Sequence, residues 1–474
     1  MPYTVPQNID PNKIFLVNYS DLEGRWDPVF TLYNKHVKNE FEFPLVQLKD
    51  VLIKSPQYGT AECGIERKAE TEPRYIRITD IDELGNLIDG LGATAEKLEE
   101  QYILNDGDIL FARSGATVGK TYLHKTLPYQ CFFAGYMIRI VVDKAKILPE
   151  YLFVYTQLQP YKDWIKAIQR TAAQPNINAE EYKSLPVPLP TIPIQQQIVN
   201  DYNAALSQRK KKLNESKSKL ASIDQYLLDK LGITLPEDSH EKTFIVNYKD
   251  VDGGRLDPYS HKPYFSSAFE NIKREYDLFS IKQISLLITS GITPLSGSDA
   301  YTNRKEGVAF VRSGDIDING NIDFDNLLYI KHNIHNAIMK SSQVQKNDIM
   351  IAIVGATIGR IGIYYSNEPA NINQAIALVR LKENFLPDYI KEVLQSSIGQ
   401  LNLDKMKRPV ARANINLDEI GQIIIPIPPI NKQQEIADHI STIRAEAKAM
   451  EDDANTILEQ AKKEVQELIL GYFS

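Results

Sequence analysis

Two stretches of the chain place apolar residues at every seventh position. In the first, Val199, Leu206, Leu213, Leu220 and Leu227 are joined by Tyr202 and Ile223, until Gly232 interrupts the pattern. In the second, Ile436, Ile443, Met450 and Ile457 recur at sevens, with Ile440, Ala454, Ala461 and Leu468 on the adjoining row. A seven-residue apolar repeat marks a coiled-coil seam, because it keeps one stripe of a slightly underwound helix facing a partner. Neither seam has a partner nearby in sequence, so the spacing predicts that the two pack on each other. They run antiparallel if a pseudo-two-fold axis relates the two parts of the chain. A helix of about 39 residues at about 1.5 Å each is roughly 58 Å long, which matches at most about 17 base pairs of duplex.

Ahead of each seam the pattern changes. Arg74 to Ile78, Asp108 to Ala112 and Met137 to Val142 are short β-branched or aromatic runs bounded by Gly, Asp or Lys, and read as strands. Pro149 to Ile168 carries Tyr151, Leu152, Val154, Tyr155, Trp164 and Ile165 at helical spacing. Pro186, Pro188, Pro190 and Pro193 then mark the switch to the long helix, with Thr191 as its N-cap and Pro193 tolerated in the first turn. The segment from Gly232 to Lys242 reads as a loop.

The chain is also written twice. Phe15–Tyr19 returns as Phe244–Tyr248, and Arg25-Trp-Asp-Pro28 as Arg255-Leu-Asp-Pro258. Tyr75 to Asp82 matches Phe310 to Asp317, Gly115-Ala-Thr-Val-Gly119 matches Gly355-Ala-Thr-Ile-Gly359, and Leu148 to Tyr151 matches Leu386 to Tyr389. Asn176-Ile-Asn178 matches Asn414-Ile-Asn416, and the proline-rich stretches end in Gln195-Gln196 and Gln433-Gln434. The order is preserved, while stretches such as 58–74 and 290–307 differ freely. The expected division is a mixed domain at 1–190, a helix at 191–232, a second such domain at 233–428 and a second helix at 429–474. The fold class is α+β, with two tandem domains joined by two long helices.

Composition narrows the function. The 474 residues include 54 Lys+Arg and 61 Asp+Glu, a net charge of -7, which argues against coating nucleic acid or membrane by bulk charge. Positive surface must therefore be local; Pro193 to Gly232, with Arg209-Lys-Lys-Lys212, is the basic segment, and a solvated helix face is its simplest reading. Cys63 and Cys131 are isolated, with no disulfide framework, and no apolar run approaches a membrane span. A reducing, cytoplasmic location is expected.

Catalytic motifs fail on inspection. Ser114-Gly-Ala-Thr-Val-Gly-Lys-Thr121 resembles a phosphate-binding loop but carries Ser where the first glycine belongs, and the second copy has Arg360-Ile361 in place of Lys-Thr. A shared glycine turn accounts for both copies. His332 and His335 have no third ligand. Asp80 with Asp82, and Asp315 with Asp317, read as turn residues rather than metal ligands. No catalytic residue and no metal ligand is assigned.

Local basic residues at matched places are better candidates, for DNA. Lys162, Lys166 and Arg170 precede Asn176, with Gln174 between; Lys405, Lys407, Arg408 and Arg412 precede Asn414. Arg77, Arg113 and Lys120, and in the second half Arg312 and Arg360, stand in or beside the repeated blocks. Arg can pair with guanine and Gln or Asn with adenine in the major groove, while Lys holds phosphates.

The doubled order of these motifs resembles the specificity subunits of type I restriction-modification systems, over essentially the whole chain. That resemblance implies two target recognition domains, each reading half of a bipartite, asymmetric sequence in double-stranded DNA, separated by a ruler of two antiparallel helices. It implies two methyltransferase subunits and two restriction/translocase subunits as partners. S-adenosylmethionine, ATP and Mg²⁺ would be handled by those partners and no cofactor bound by this chain. A coiled-coil scaffold without DNA binding, or a P-loop NTPase, are the alternatives.

Overall fold

The short β-branched runs form strands, and the strands assemble twice into the same pair of sheets. The computed structural model describes residues 15–17, 27–37, 41–169, 175–236, 243–248, 257–265, 267, 276–407 and 414–470. It divides into two units, residues 1–213 with 452–474, and residues 214–451. The Arg25-Trp26 and Arg255-Leu256 parts of the repeat lie outside the described residues.

In the first unit a four-stranded antiparallel sheet runs in the order Gln57–Tyr58, Met137–Ile140, Ile109–Ala112, Thr121–Leu123. The second unit repeats it as Ser285–Ser290, Ile376–Leu381, Ile349–Ala352, Ile361–Ile363. A second sheet orders Ile65–Glu66, Ala93–Thr94, Arg74–Ile76 and Cys131–Phe133, the last two parallel. Its counterpart orders Tyr301–Thr302, Leu328–Lys331, Gly307–Val311 and Ala370–Ile372, again with the last two parallel, and adds an edge at Gln343–Val344. Each unit also has a two-stranded ribbon, Leu45–Gln47 with Pro186–Pro188 and Asp277–Ser280 with Ile424–Ile427. Prolines fit there because an edge strand leaves alternate N–H positions unused.

The stretch expected to be one helix from Pro149 is two, Pro149–Tyr155 and Gln159–Ile168. Pro160 is the physical reason: it lacks an N–H and clashes with the preceding turn, so a new helix starts beside it. Two long helices follow the domains, Ile192–Lys230 and Ile430–Leu470. The first ends as expected at Gly232, whose φ of 63° lets Ile233 N–H reach back to the Leu228 carbonyl at 2.9 Å.

Each unit takes its core from parts of both long helices. In the first, Ile198, Val199 and Tyr202 join Leu458, Val465 and Ile469 beneath Tyr151 and Trp164. In the second, Leu227 and Leu231 join Ile436 and Ile440 with Tyr389 and Ile420. The helices pair antiparallel in both. Lys212 meets Asp453 at 3.2 Å in the first unit, and Lys230 meets Glu435 at 3.1 Å in the second, where Lys219 also pairs with Glu446.

The two rows of the expected seam are buried unequally. Val199, Leu227 and Ile436 are buried, but Leu206, Leu213, Leu220, Ile443, Met450 and Ile457 are only half-buried. The buried line on the second helix is Ile440, Ala447, Ala454 and Ala461, and Ser216 is buried on the first. Large residues are buried nearer the helix ends, at Ile436, Leu458, Val465 and Ile469. Among the described residues no helix is long and apolar enough to cross a membrane.

Candidate nucleic-acid interface

The two most repeated motifs are structural partners. Ser114 bridges to Asn176, and Val354 bridges to Asn414. Ile177 N–H donates to the Arg113 carbonyl at 2.8 Å, and Ile415 N–H to the Ile353 carbonyl at 3.0 Å. The second asparagine of each block caps a short helix: Asn178 accepts from Glu181 N–H, and Asn416 from Glu419 N–H. Gly115 and Gly355, at φ 80° and 73°, open the turns that join Ile109–Ala112 to Thr121–Leu123 and Ile349–Ala352 to Ile361–Ile363. The phosphate-loop likeness is explained by that turn, since the Thr121 hydroxyl is buried against Thr156 and Gln157.

The paired aspartates are turn residues as expected. Asp82 accepts from the N–H groups of Leu84 and Asn86, and Asp317 from those of Asn319 and Asn321. Asp80 and Asp315 each accept the backbone N–H and the side-chain fork of the arginine three residues before, Arg77 and Arg312. The carboxylates hold both guanidinium groups charged above their ordinary range. Lys120 binds the Ile81 carbonyl at 3.2 Å and Glu83 at 2.7 Å; Arg360 binds the Ile316 carbonyl at 3.0 Å. These four cations are thus committed to matching turns.

The helix-end candidates are placed differently. Lys166 is 75% exposed and 4.0 Å from Asp163. Lys407 pairs with Asp404, and burial pushes the Lys405 ammonium below its ordinary value. Arg170, Gln174, Arg408 and Arg412 lie outside the described residues. His332 is exposed, and His335 Nδ1 is 2.5 Å from Asn371 Oδ1. Among the described residues no three His, Cys, Asp or Glu side chains converge as a metal site.

The matched turns border equivalent surfaces in the two units. In the second it is a cleft of about 540 Å³ lined by Thr293, Ser313, Val354, Gln374 and Asn414, with Asn373 and Ala375. The strand register makes Gly135 and Tyr136 of the first unit equivalent to Gln374 and Ala375. It likewise makes Tyr58 equivalent to Ser290, and Arg113 to Ile353. There the Arg113 guanidinium lies 4.7 Å above the Tyr58 ring, with Nε 3.4 Å from Asn176 Oδ1. Tyr136 is 40% exposed; burial raises its phenol pKa, with Arg77 opposing. The sequence reading named Arg113 but missed Tyr58, Tyr136 and Gln374. The available signal was that they stand where the two halves differ.

Comparison with known proteins matches these two units separately. The family model described as the type I restriction modification DNA specificity domain matches residues 45–202 and 275–460. The EcoBI specificity subunit of Escherichia coli is 26% identical over 330 residues, 68% of this chain and 64% of that one; the chain thus matches just under two thirds of it. The EcoKI specificity subunit of Escherichia coli K12 is 21% identical over 386 residues, 79% of this chain and 76% of that one. A chain solved in work on complex assembly and conformational transition of the type I R-M system is 14% identical. It shares the fold at a TM-score of 0.53, covering 91% of this chain and 98% of its own.

Proposed function

The chain belongs to the type I restriction-modification DNA specificity family, and on that premise we propose that it is the non-catalytic subunit that reads a bipartite, asymmetric target in double-stranded DNA. The observation that carries this reading is the repeated sheet order in the two units, combined with unlike residues at the places equivalent to the lining of the second unit's cleft. One scaffold used twice, with two different reading surfaces, suits recognition of two different half-sites. At the equivalent place the first unit offers Arg113, Tyr58 and Tyr136; the cleft of the second offers Ser313, Gln374 and Asn414.

The chemistry of this chain is recognition alone. Each half-site interaction is modest, and joining two of them raises the effective concentration of the second once the first is made. The long helices set the separation of the half-sites. Two methyltransferase subunits and two restriction/translocase subunits act on the DNA, bringing S-adenosylmethionine, ATP and Mg²⁺. Flipping and methylating the target adenine belongs to the methyltransferase. Exposed lysines such as Lys166 hold phosphates without reading sequence.

Mapping methylated adenines in a host carrying the complete system tests this function. A two-part motif with unlike halves and a fixed gap is expected. Absence of any motif that depends on this chain overturns the reading and favours a scaffold.

A further inference from the structure

The arginines repeated in both units are spent on the frame. Arg77 and Arg312 each give Nε and Nη2 to one carboxylate; Arg380, which stands where the first unit has Val141, does the same with Asp348. Arg113 is different. It has no carboxylate partner among the described residues, and the repeat does not preserve it, since Ile353, 5% exposed, takes its place. Its backbone is held on both sides, N–H by the Tyr136 carbonyl at 3.1 Å and carbonyl by Ile177 N–H at 2.8 Å.

The side chain is held as well. Its plane lies over Tyr58, whose hydroxyl accepts Ala179 N–H at 3.0 Å, and Nε is directed to Asn176. Among the described residues neither Nη atom has a hydrogen-bond partner. A half-exposed guanidinium fixed by stacking, with two parallel terminal donors open, has the shape that pairs with O6 and N7 of guanine. Ordering the fork in advance also removes much of the entropy cost of making both bonds.

We propose that Arg113 is a specificity-determining residue that reads one guanine in the half-site bound by the first unit. The second unit cannot do so at the equivalent place, where Ile353 and Ser290 replace the Arg–Tyr pair. Its exposed Gln374, which makes no side-chain hydrogen bond among the described residues, occupies the position of Gly135 and suits adenine. The two units therefore demand different bases from equivalent places. This inference rests on the proposed DNA-reading function.

The test maps genomic methylation in a host carrying the complete system, with the native chain, Arg113→Lys, Arg113→Gln or Gln374→Ala. Both Arg113 variants are expected to relax a single guanine in one half-site, lowering discrimination there on the order of tenfold to a hundredfold, and to leave the other half unchanged. Arg113→Lys keeps the charge but loses the fork. Full discrimination by Arg113→Lys, or weaker methylation at every site with the motif intact, means a phosphate contact and overturns the assignment. Relaxation of that same guanine by Gln374→Ala overturns it too. Thermal unfolding of each purified chain at the native midpoint is expected, and a collapsed midpoint for Arg113→Lys makes Arg113 structural and overturns the reading role. A native methylome without a bipartite motif would instead refute the function on which the inference rests.

Discussion

Asp224, on the first long helix, accepts both the backbone N–H and the hydroxyl of Ser397, each at 2.7 Å. Ser397 opens the helix Ser397–Met406, so a carboxylate from another element supplies the cap that the helix's own N-cap residue, Ser396, does not. Replacing it by Ala leaves two donors without a partner. Asp224→Ala is expected to destabilise the second unit by about 1–3 kcal/mol, read as a lowered denaturant midpoint. An unchanged midpoint would show that the cap contributes nothing net.

The repeated glutamines make a matched pair of buried latches. Gln195 accepts Leu148 N–H at 2.8 Å and donates to the carbonyls of Pro190 and Lys146 at 2.8 and 3.1 Å. Gln433 accepts Leu386 N–H at 3.3 Å and donates to Pro428 at 2.8 Å. Buried groups left unsatisfied cost about 1–3 kcal/mol each. Both Gln→Ala changes should therefore be severe, with Gln195→Ala the worse. Among the described residues their neighbours Gln196 and Gln434 bond to Asn200 and Asp438 on the exposed helix surface, and Ala there should be nearly neutral. Equal effects of Gln195→Ala and Gln196→Ala in a melting experiment would contradict this.

The glycine turns separate two costs. Gly115 has φ 80° and open space where a Cβ would stand, whereas Gly119 has φ 88° and a Cβ there would meet buried Ile165 at 2.9 Å. Gly115→Ala should cost about 1–2 kcal/mol from the left-handed backbone alone. Gly119→Ala adds a steric clash that a packed core cannot relieve, and should lose more. Comparing the two unfolding midpoints decides it.

The helix seam can be tested by size. Ala454 is fully buried and Met450 is half-buried. Ala454→Leu should destabilise the pair by about 1–3 kcal/mol through overpacking, while Met450→Ala should cost less than a core truncation of about 2–5 kcal/mol. The reverse order would restore the large-residue row as the seam.

The seam shows where sequence reasoning stops. Heptad spacing revealed that both helices pack and that they pair, because a stripe must be covered. It could not say which of two adjoining rows lies on the line of contact, since alanines are compatible with either and packing distance is a tertiary property. The same limit applies at the cleft. Repetition drew attention to Arg77 and Arg312, yet what duplication preserves is the frame, and both arginines close turns through Asp80 and Asp315. Residues that read different half-sites must differ between the copies. Arg113 against Ile353 and Gly135 against Gln374 are such differences in the proposed reading; the first follows from the repeat itself, two residues before Gly115 and Gly355, and strand register supplies the second. The pairing of the glycine turns with the Asn-Ile-Asn blocks was likewise invisible in one dimension, although their joint recurrence is its consequence.

The helices also make a prediction about spacing. If they set the half-site separation, their length and the gap in the target must change together. Removing one turn within Leu206 to Leu227 alone breaks the heptad phase between the helices, and methylation of the native site should fall or vanish. Inserting seven residues into each helix, in register, keeps the phase of both seams. It lengthens the pair by about 10.5 Å at about 1.5 Å per residue, roughly three base pairs at about 3.4 Å. Methylation mapping should then return the same two half-sites with a longer gap. An unchanged gap would mean that the separation is set elsewhere in the assembly, and changed half-sites would mean that the insertion disturbed the recognition domains themselves.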